Sequence, residues 1–301
     1  MTRHLQFLGC GLLLVCSAAC SSTSAEPDPS PDASGGAAGD SGAVATSGSS
    51  GSSFVRCPEG TNPKSPANPT EVGTVSGQLV DEQGSPTSAG LVQVCGKDIC
   101  INARVGDDGL LAESVGQVLE DPACKFGDGL TWGKLAVPVV AGDNALGTLV
   151  TVRLPDFAAG VAFTPGEAAS SGGVTLTLDP SAHVNVDGLT YVDESQQGFR
   201  AVALPDAALA QLKQDFVAAY ALSPVETRIC PSPSLSIENA AQVAPGTGLE
   251  LYILGFDVAE PWAPYGAWQK VGDGQVSDDG ATFEFPDGLP LLTAIGIKEK
   301  G

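Results

Sequence analysis

The feature that most constrains this 301-residue chain is a period-two alternation of apolar and polar residues, in short runs separated by glycine and proline. Val92 and Val94 flank Gln93, and Val150, Val152 and Leu154 alternate with Thr151 and Arg153. Further along, Val174, Leu176 and Leu178 alternate with Thr175, Thr177 and Asp179. Leu249, Leu251 and Ile253 repeat the pattern, as do Phe283 and Phe285. Successive side chains of a strand point to opposite faces, so each run buries one face and wets the other. With 38 Gly and 22 Pro against 10 Phe, 4 Tyr and 3 Trp, the chain reads as many short strands and turns. The predicted class is all-β, with two β-sandwich-like regions at 57–156 and 157–301. Pro138 inside the run Leu135–Val140 cannot donate to a ladder, which places that strand at a sheet edge. One stretch breaks the pattern. Leu204–Leu222 predicts a single helix near 205–222, capped by Asp206 and stopped by Pro224, with Leu209, Leu212, Phe216 and Ala219 on one face.

Charge removes whole classes of partner. Fourteen Lys plus Arg stand against 35 Asp plus Glu, a formal net charge of −21. Such a chain is poorly suited to gripping nucleic acid or an anionic lipid face. The 43% of hydrophobic residues suffices for a core, and the length suggests two folded domains at most.

Residues 1–19 read as a secretory signal peptide. Arg3 supplies a basic start, Leu5–Val15 an apolar stretch too short to span a bilayer, and Ser17-Ala18-Ala19 a small-residue cleavage region. No twin arginine is present, which favours the general secretion route. Cys20 follows at once, and the set resembles the lipobox of bacterial lipoproteins, departing from it at Ser17, where that family usually has Leu. The resemblance implies cleavage before Cys20 and its acylation, so that the lipid bilayer becomes a partner through that residue. Several acyl chains anchor a protein stably at about 0.8 kcal/mol per buried methylene. Ser21 rather than Asp implies sorting to the outer membrane of a Gram-negative bacterium. The mature chain would carry 13 bases and 35 acids, a charge of −22.

From Ser21 to Ser53 there is no aromatic residue and no Leu, Ile, Met, Lys or Arg. Such a segment cannot offset its ordering entropy, so 20–56 is expected to be a lipid anchor followed by a disordered Ser/Gly/Pro linker. As a flexible coil it would span about 30 Å.

The string Gly77-Gln-Leu-Val-Asp81-Glu-Gln-Gly84-Ser-Pro86, followed by Gly90-Leu-Val92-Gln-Val94 and the acidic turn Gly106-Asp107-Asp108-Gly109, resembles carboxypeptidase-regulatory-like modules. The resemblance covers 73–155 and implies a prealbumin- or Ig-like sandwich of non-catalytic type. It departs after Gly109, where Leu110-Leu111-Ala112 replaces the usual aromatic strand. Gly172-Gly173-Val174-Thr175-Leu176 with Phe199–Ala203 distantly resembles ZU5 and GAIN-type sandwiches across 172–301. The self-cleaving members need His-Leu-Ser or His-Leu-Thr, which is absent from the sequence, so no autoproteolysis is expected.

After the anchor five cysteines remain: Cys57, Cys95, Cys100, Cys124 and Cys230. Export favours disulfides, and an odd count leaves one thiol over. Cys95 and Cys100 flank a plausible hairpin tip and form the first expected pair. Cys57 with Cys124 is the second. Zinc is disfavoured because paired C-x2-C knuckles and neighbouring histidines are missing. His183 is the one histidine of the mature chain, in a turn leading into a strand, and reads as structural. Asp107, Asp108, Asp278 and Asp279 recur in Asp-Gly turns. They are weak calcium candidates, without EF-hand spacing, and ordinary turn chemistry is the favoured reading.

The segment Pro261–Trp268 concentrates aromatic residues. Trp262, Tyr265 and Trp268 either pack a loop against a sandwich edge or contact a ligand, stacking on sugar rings or anchoring a protein. No catalytic motif stands out and no cofactor is implied. The expectation is a lipid-anchored, non-enzymatic envelope protein with an adhesive, ligand-binding or structural role and a protein or glycan ligand. The alternative is a secreted hydrolase using acidic residues.

Overall fold

The computed structural model describes residues 68–88, 90–256 and 262–301. The signal segment 1–19, Cys20, the linker through residue 56, and Cys57 lie outside the described residues. The described residues group into one compact unit. None of the described helices is long and apolar enough to cross a membrane.

The architecture is all-β with one short helix. In chain order the first strands are β1 (Pro69–Val80), β2 (Val92–Cys95), β3 (Cys100–Asn102), β4 (Leu110–Glu120), β5 (Ala123–Phe126), β6 (Leu135–Pro138) and β7 (Gly142–Val150). There follow β8 (Ala168–Ser171), β9 (Val174–Thr177), β10 (His183–Asn185), β11 (Arg200–Ala203), the helix α1 (Asp206–Gln211) and β12 (Ala218–Ser223). The last are β13 (Arg228–Cys230), β14 (Ser234–Glu238), β15 (Gly248–Leu254), β16 (Trp268–Val276), β17 (Thr282–Phe285) and β18 (Ile295–Glu299).

Four sheets result. The first stretch forms a three-stranded sheet β4-β1-β7 and a four-stranded sheet β3-β2-β5-β6. The inner residues of both, such as Val75, Leu119, Val94 and Phe126, share one buried cluster, which makes them a sandwich. β6 is an edge strand, as Pro138 requires. The second stretch builds a nine-stranded sheet, β11-β12-β18-β15-β16-β17-β14-β9-β8, and a small β10-β13 pair. Its alternating positions behave as their pattern dictates: Val174, Leu176, Leu249, Leu251, Ile253, Phe283 and Phe285 are all buried.

The two stretches meet in a common interior. The cluster holding β1 and β5 also takes in Leu212, Phe216, Ala219, Ala221, Leu254 and Phe256 from the later strands. A buried polar knot ties them further. Arg200, 1% exposed, donates through Nη1 to the carbonyls of Leu130 (2.7 Å) and Pro155 (3.1 Å) and through Nη2 to Ser223 Oγ (2.9 Å). Ser223 and Tyr191 both donate to the Gly129 carbonyl. Burial lowers the Arg200 pKa and pushes the Tyr191 phenol up to about 12.

The acidic turns use their carboxylates locally. Asp81 Oδ1 accepts from the Gln83 and Ser85 amides at 3.0 and 2.8 Å, closing the turn after β1. Gly109 sits at φ +73°, and a Cβ there would lie 2.3 Å from the Leu79 carbonyl oxygen, so only glycine fits.

The helix is present but shorter than its periodicity suggests. It covers Asp206–Gln211, and Pro205 rather than Asp206 occupies the N-cap position, with no side-chain cap. Lys213 takes a left-handed φ of +52° and ends it. Of the remainder of the expected helix, 212–217 is turn and irregular chain, and Ala218–Ser223 is β12, paired with β11 and β18. The exposed edge of β7 recruits α1. Gln211 Oε1 accepts from the Val150 amide at 2.7 Å while its Nε2 donates to the Val150 carbonyl at 3.0 Å. One side-chain amide thus replaces a missing strand partner.

Candidate functional site

A cleft of about 520 Å³ opens where the β2–β6 sheet meets the segment 264–268. Its aromatic wall is Tyr252, Tyr265 and Trp268; Asn68, Thr70, Lys97, Asp121 and Gln214 supply polar groups around it.

Each wall residue is held from behind. Trp268 opens β16 and is half-buried, its ring edge-on to Phe216 with centroids 4.8 Å apart at 70°. Phe216 in turn meets Tyr252 at 5.6 Å. Tyr252, between buried Leu251 and Ile253, faces the other way and is half-buried against the first core cluster; its hydroxyl donates to Glu250 Oε2 at 2.8 Å. That bond to a carboxylate raises the Tyr252 pKa, keeping the phenol protonated as a hydroxyl near neutral pH. Tyr265 is buried, with Lys125 Nζ 4.2 Å from its ring centre. Its chain bends through Gly266 at φ +67°, where a Cβ would lie 2.7 Å from that of Ala123. Close packing of this loop on β5 needs glycine there.

The disulfide hairpin contributes Lys97 to the cleft lining. Cys95 and Cys100 are bonded with Cα atoms 4.0 Å apart, as expected from the hairpin tip between them. Cys100 Sγ lies 4.0 Å from the Tyr265 hydroxyl. Lys97, inside the loop, donates its backbone N–H to Glu120 O at 2.8 Å and reaches Asp121 with its ammonium at 2.6 Å. The ion pair cancels itself. The cleft is therefore electrically neutral at its rim within a strongly acidic chain.

The sequence brings two of its three aromatic candidates here. Tyr265 and Trp268 line the cleft, but Trp262 does not. It is half-buried against the second core cluster, with the Arg228 guanidinium 5.8 Å from its ring. Tyr252, Lys97 and Asp121 were not anticipated. A tyrosine on the polar side of a strand that alternates Leu251, Tyr252, Ile253 is the signal that could have marked the first of them.

The second expected disulfide is not formed. Cys124 is a free thiol, fully buried in β5, and burial pushes its pKa up to about 12. It points into the shared core, where Val94 is its direct strand partner, so no partner sulfur reaches it across the surface. Cys230 is disulfide-bonded instead.

Neither acidic pair nor His183 lines the cleft. Asp108 Oδ1 accepts from the Leu110 amide at 3.1 Å, and Asp279 Oδ1 from Ser277 Oγ (2.7 Å) and the Ala281 amide (2.9 Å). Asp107 and Asp278 belong to the same two turns. Among the described residues no group of three or more His, Cys, Asp or Glu could hold a metal ion. His183 is exposed on β10, opposite Cys230.

No protein-family model matches the chain. No curated protein matches it. Among solved structures it is similar to a DUF3823 family protein from Parabacteroides merdae ATCC 43184, at 12% identity and a TM-score of 0.19, covering 75% of this chain and 98% of that one. A DUF3823 family protein from Bacteroides ovatus ATCC 8483 gives 12%, 0.19, 76% and 91% in the same order. A Bacteroides uniformis ATCC 8492 protein provisionally assigned to carbohydrate binding gives 10%, 0.21, 77% and 100%. Likenesses at this level carry no residue-by-residue correspondence.

Proposed function

We propose that the chain is a non-enzymatic, lipid-anchored envelope protein whose folded body binds an uncharged glycan in the Trp268 cleft. The observation that carries this reading is the cleft itself. The half-buried rings of Tyr252 and Trp268, backed by Phe216, offer apolar surface beside buried Tyr265, while fixed amide, hydroxyl and paired ionic groups stand around it. A sugar ring has an apolar face and a polar perimeter, which matches that arrangement. The neutral rim favours a neutral ligand over an anionic one, since the rest of the chain repels anions. Use of the Asp108 and Asp279 carboxylates within their own turns supports a binding rather than an acid–base role. The likeness of 73–155 to carboxypeptidase-regulatory-like modules points the same way.

The anchor rests on the lipobox-like Ser17-Ala18-Ala19-Cys20, and its test is separate. Cys20→Ala should move the protein from membranes to the soluble fraction; continued membrane fractionation would remove the anchor from the proposal. For the cleft, the full chain should select neutral glycans from an array, and Trp268→Ala should lose them. An array pattern unchanged in that variant would reject the cleft as the binding site.

A further inference from the structure

A second feature lies on the outer face of the nine-stranded sheet. Ser170, Thr175, Ser236, Glu284 and Gln275 are direct partners across β8, β9, β14, β17 and β16, in unbroken register. The neighbouring row, Val174, Ile237, Phe283 and Val276, is fully buried beneath them. The polar row therefore faces outward by strand alternation. The surface is concave there. A groove of about 580 Å³ runs over Ser234, Ser236, Glu284, Gln275 and Asp273. A second of about 220 Å³ runs over Ser170, Thr175, Ser236 and Glu238. Both share Ser236, so the two adjoin across the sheet.

Neighbouring strands are spaced by about 4.8 Å, so five of them carry the row over about 19 Å. A chain of pyranose rings repeats at close to the strand spacing and offers hydroxyls at each repeat. The row offers hydroxyl, hydroxyl, hydroxyl, carboxylate and amide in turn; Ser170 Oγ and Thr175 Oγ1 bond each other at 2.9 Å, and each hydroxyl keeps acceptor capacity for a sugar hydroxyl. Its ionic character selects further. Glu284 and Glu238 line the trough with no basic residue beside them in either groove, and Asp273 is already paired with Lys270 and Lys300 at 2.8 and 2.9 Å. An anionic polysaccharide would meet unpaired carboxylates.

We propose that this trough is a second binding track, distinct from the Trp268 cleft, for an extended uncharged glycan laid across the strands. Recognition here is by hydrogen bonding along the chain and depends on ligand length, whereas the cleft grips a single ring.

The test titrates the full chain, purified in detergent, with neutral β-1,4-linked glucan, xylan and mannan oligomers of two and six units. Hexagalacturonate is the anionic control. At least one neutral hexamer should bind about tenfold more tightly than its dimer. That length dependence should vanish in the double variant Glu284→Ala/Gln275→Ala, exposed positions whose replacement leaves the fold intact by circular dichroism. It should persist in Trp268→Ala and in the milder Trp268→Phe. Absence of length dependence in all three series would overturn the proposal. So would its survival in the double variant, its loss in both Trp268 variants alone, or hexagalacturonate binding as tightly as the best neutral hexamer. Failure of the cleft reading, by contrast, shows only in dimer binding that ignores Trp268.

Discussion

The indole of Trp268 stands edge-on to the ring of Phe216, centroids 4.8 Å apart, and this contact fixes the aromatic wall of the cleft from the core side. Phe216 is 7% exposed and also touches Tyr252, so one buried ring supports two wall residues. Phe216→Ala should cost about 3 kcal/mol of stability in urea unfolding and weaken ligand binding together with it. Phe216→Leu keeps most of the volume and should recover most of the stability but less of the binding. Full binding by the Leu variant would show that ring contact does not hold the wall.

Arg200 provides a second structural test. Its three bonds satisfy the part-buried carbonyls of Leu130 and Pro155 and the buried Ser223 hydroxyl. Arg200→Met should lower stability by about 2–4 kcal/mol, because unpaired carbonyls remain inside. Arg200→Lys should rescue little of it. A single ammonium cannot reproduce a fork that spans two Nη groups. Equal stability of the Lys variant and the wild type would refute this account of the knot.

The cysteines give a chemical readout. Peptide mapping without reductant should join Cys95 to Cys100 and leave Cys124 unpaired. A maleimide at pH 8 should label Cys124 only after denaturation, since the thiol is buried with its pKa near 12. Labelling of the folded protein would contradict the buried placement. Replacing Cys95 and Cys100 by Ser frees the loop that carries Lys97 and should weaken glycan binding while costing only about 2 kcal/mol of stability, since the closed loop is short.

The pH profile follows from groups shifted in both directions. Asp143, Asp179, Asp187 and Asp279 sit below their ordinary value of 3.8, held chiefly by hydroxyl bonds from Thr74, Ser181, Thr190 and Ser277. Bonds from Lys270 do the same for Glu250 and Asp273. An acid whose folded pKa is lowered stabilises fully above its unfolded value, and that contribution fades as pH falls through the folded one. Tyr191 behaves oppositely, raised by burial from 10.0 to about 12. Its contribution is full below 10.0 and is lost as pH climbs toward 12. Melting temperature should therefore be flat from about pH 5 to pH 9 and fall on either side. A melting temperature that rises as pH drops from 5 to 3 would contradict the acidic limb.

Local chemistry made much of this fold legible. Alternation marked the strands, Pro138 marked an edge, and the tip between Cys95 and Cys100 marked a disulfide. What failed was anything decided by pairing at a distance. Leu212, Phe216 and Ala219 are buried together, as helical spacing suggested, yet only Asp206–Gln211 is helical. Ala218–Ser223 gains two strand partners, β11 and β18, that lie before and after it in the chain, and that pairing outweighs local propensity. Cys124 could not be read either, because its isolation depends on facing Val94 inside the sandwich. The cleft escaped for the same reason. Lys97, Asp121 and Tyr252 are far apart in sequence and meet only once the sheets have assembled.

The most direct test of the central claim is a calorimetric titration of the full chain with the best neutral disaccharide from the array, comparing wild type with Trp268→Ala. Trp268→Ala should lose at least tenfold in affinity, about 1.4 kcal/mol, with the fold retained by circular dichroism. Equal affinity in the two proteins would contradict it.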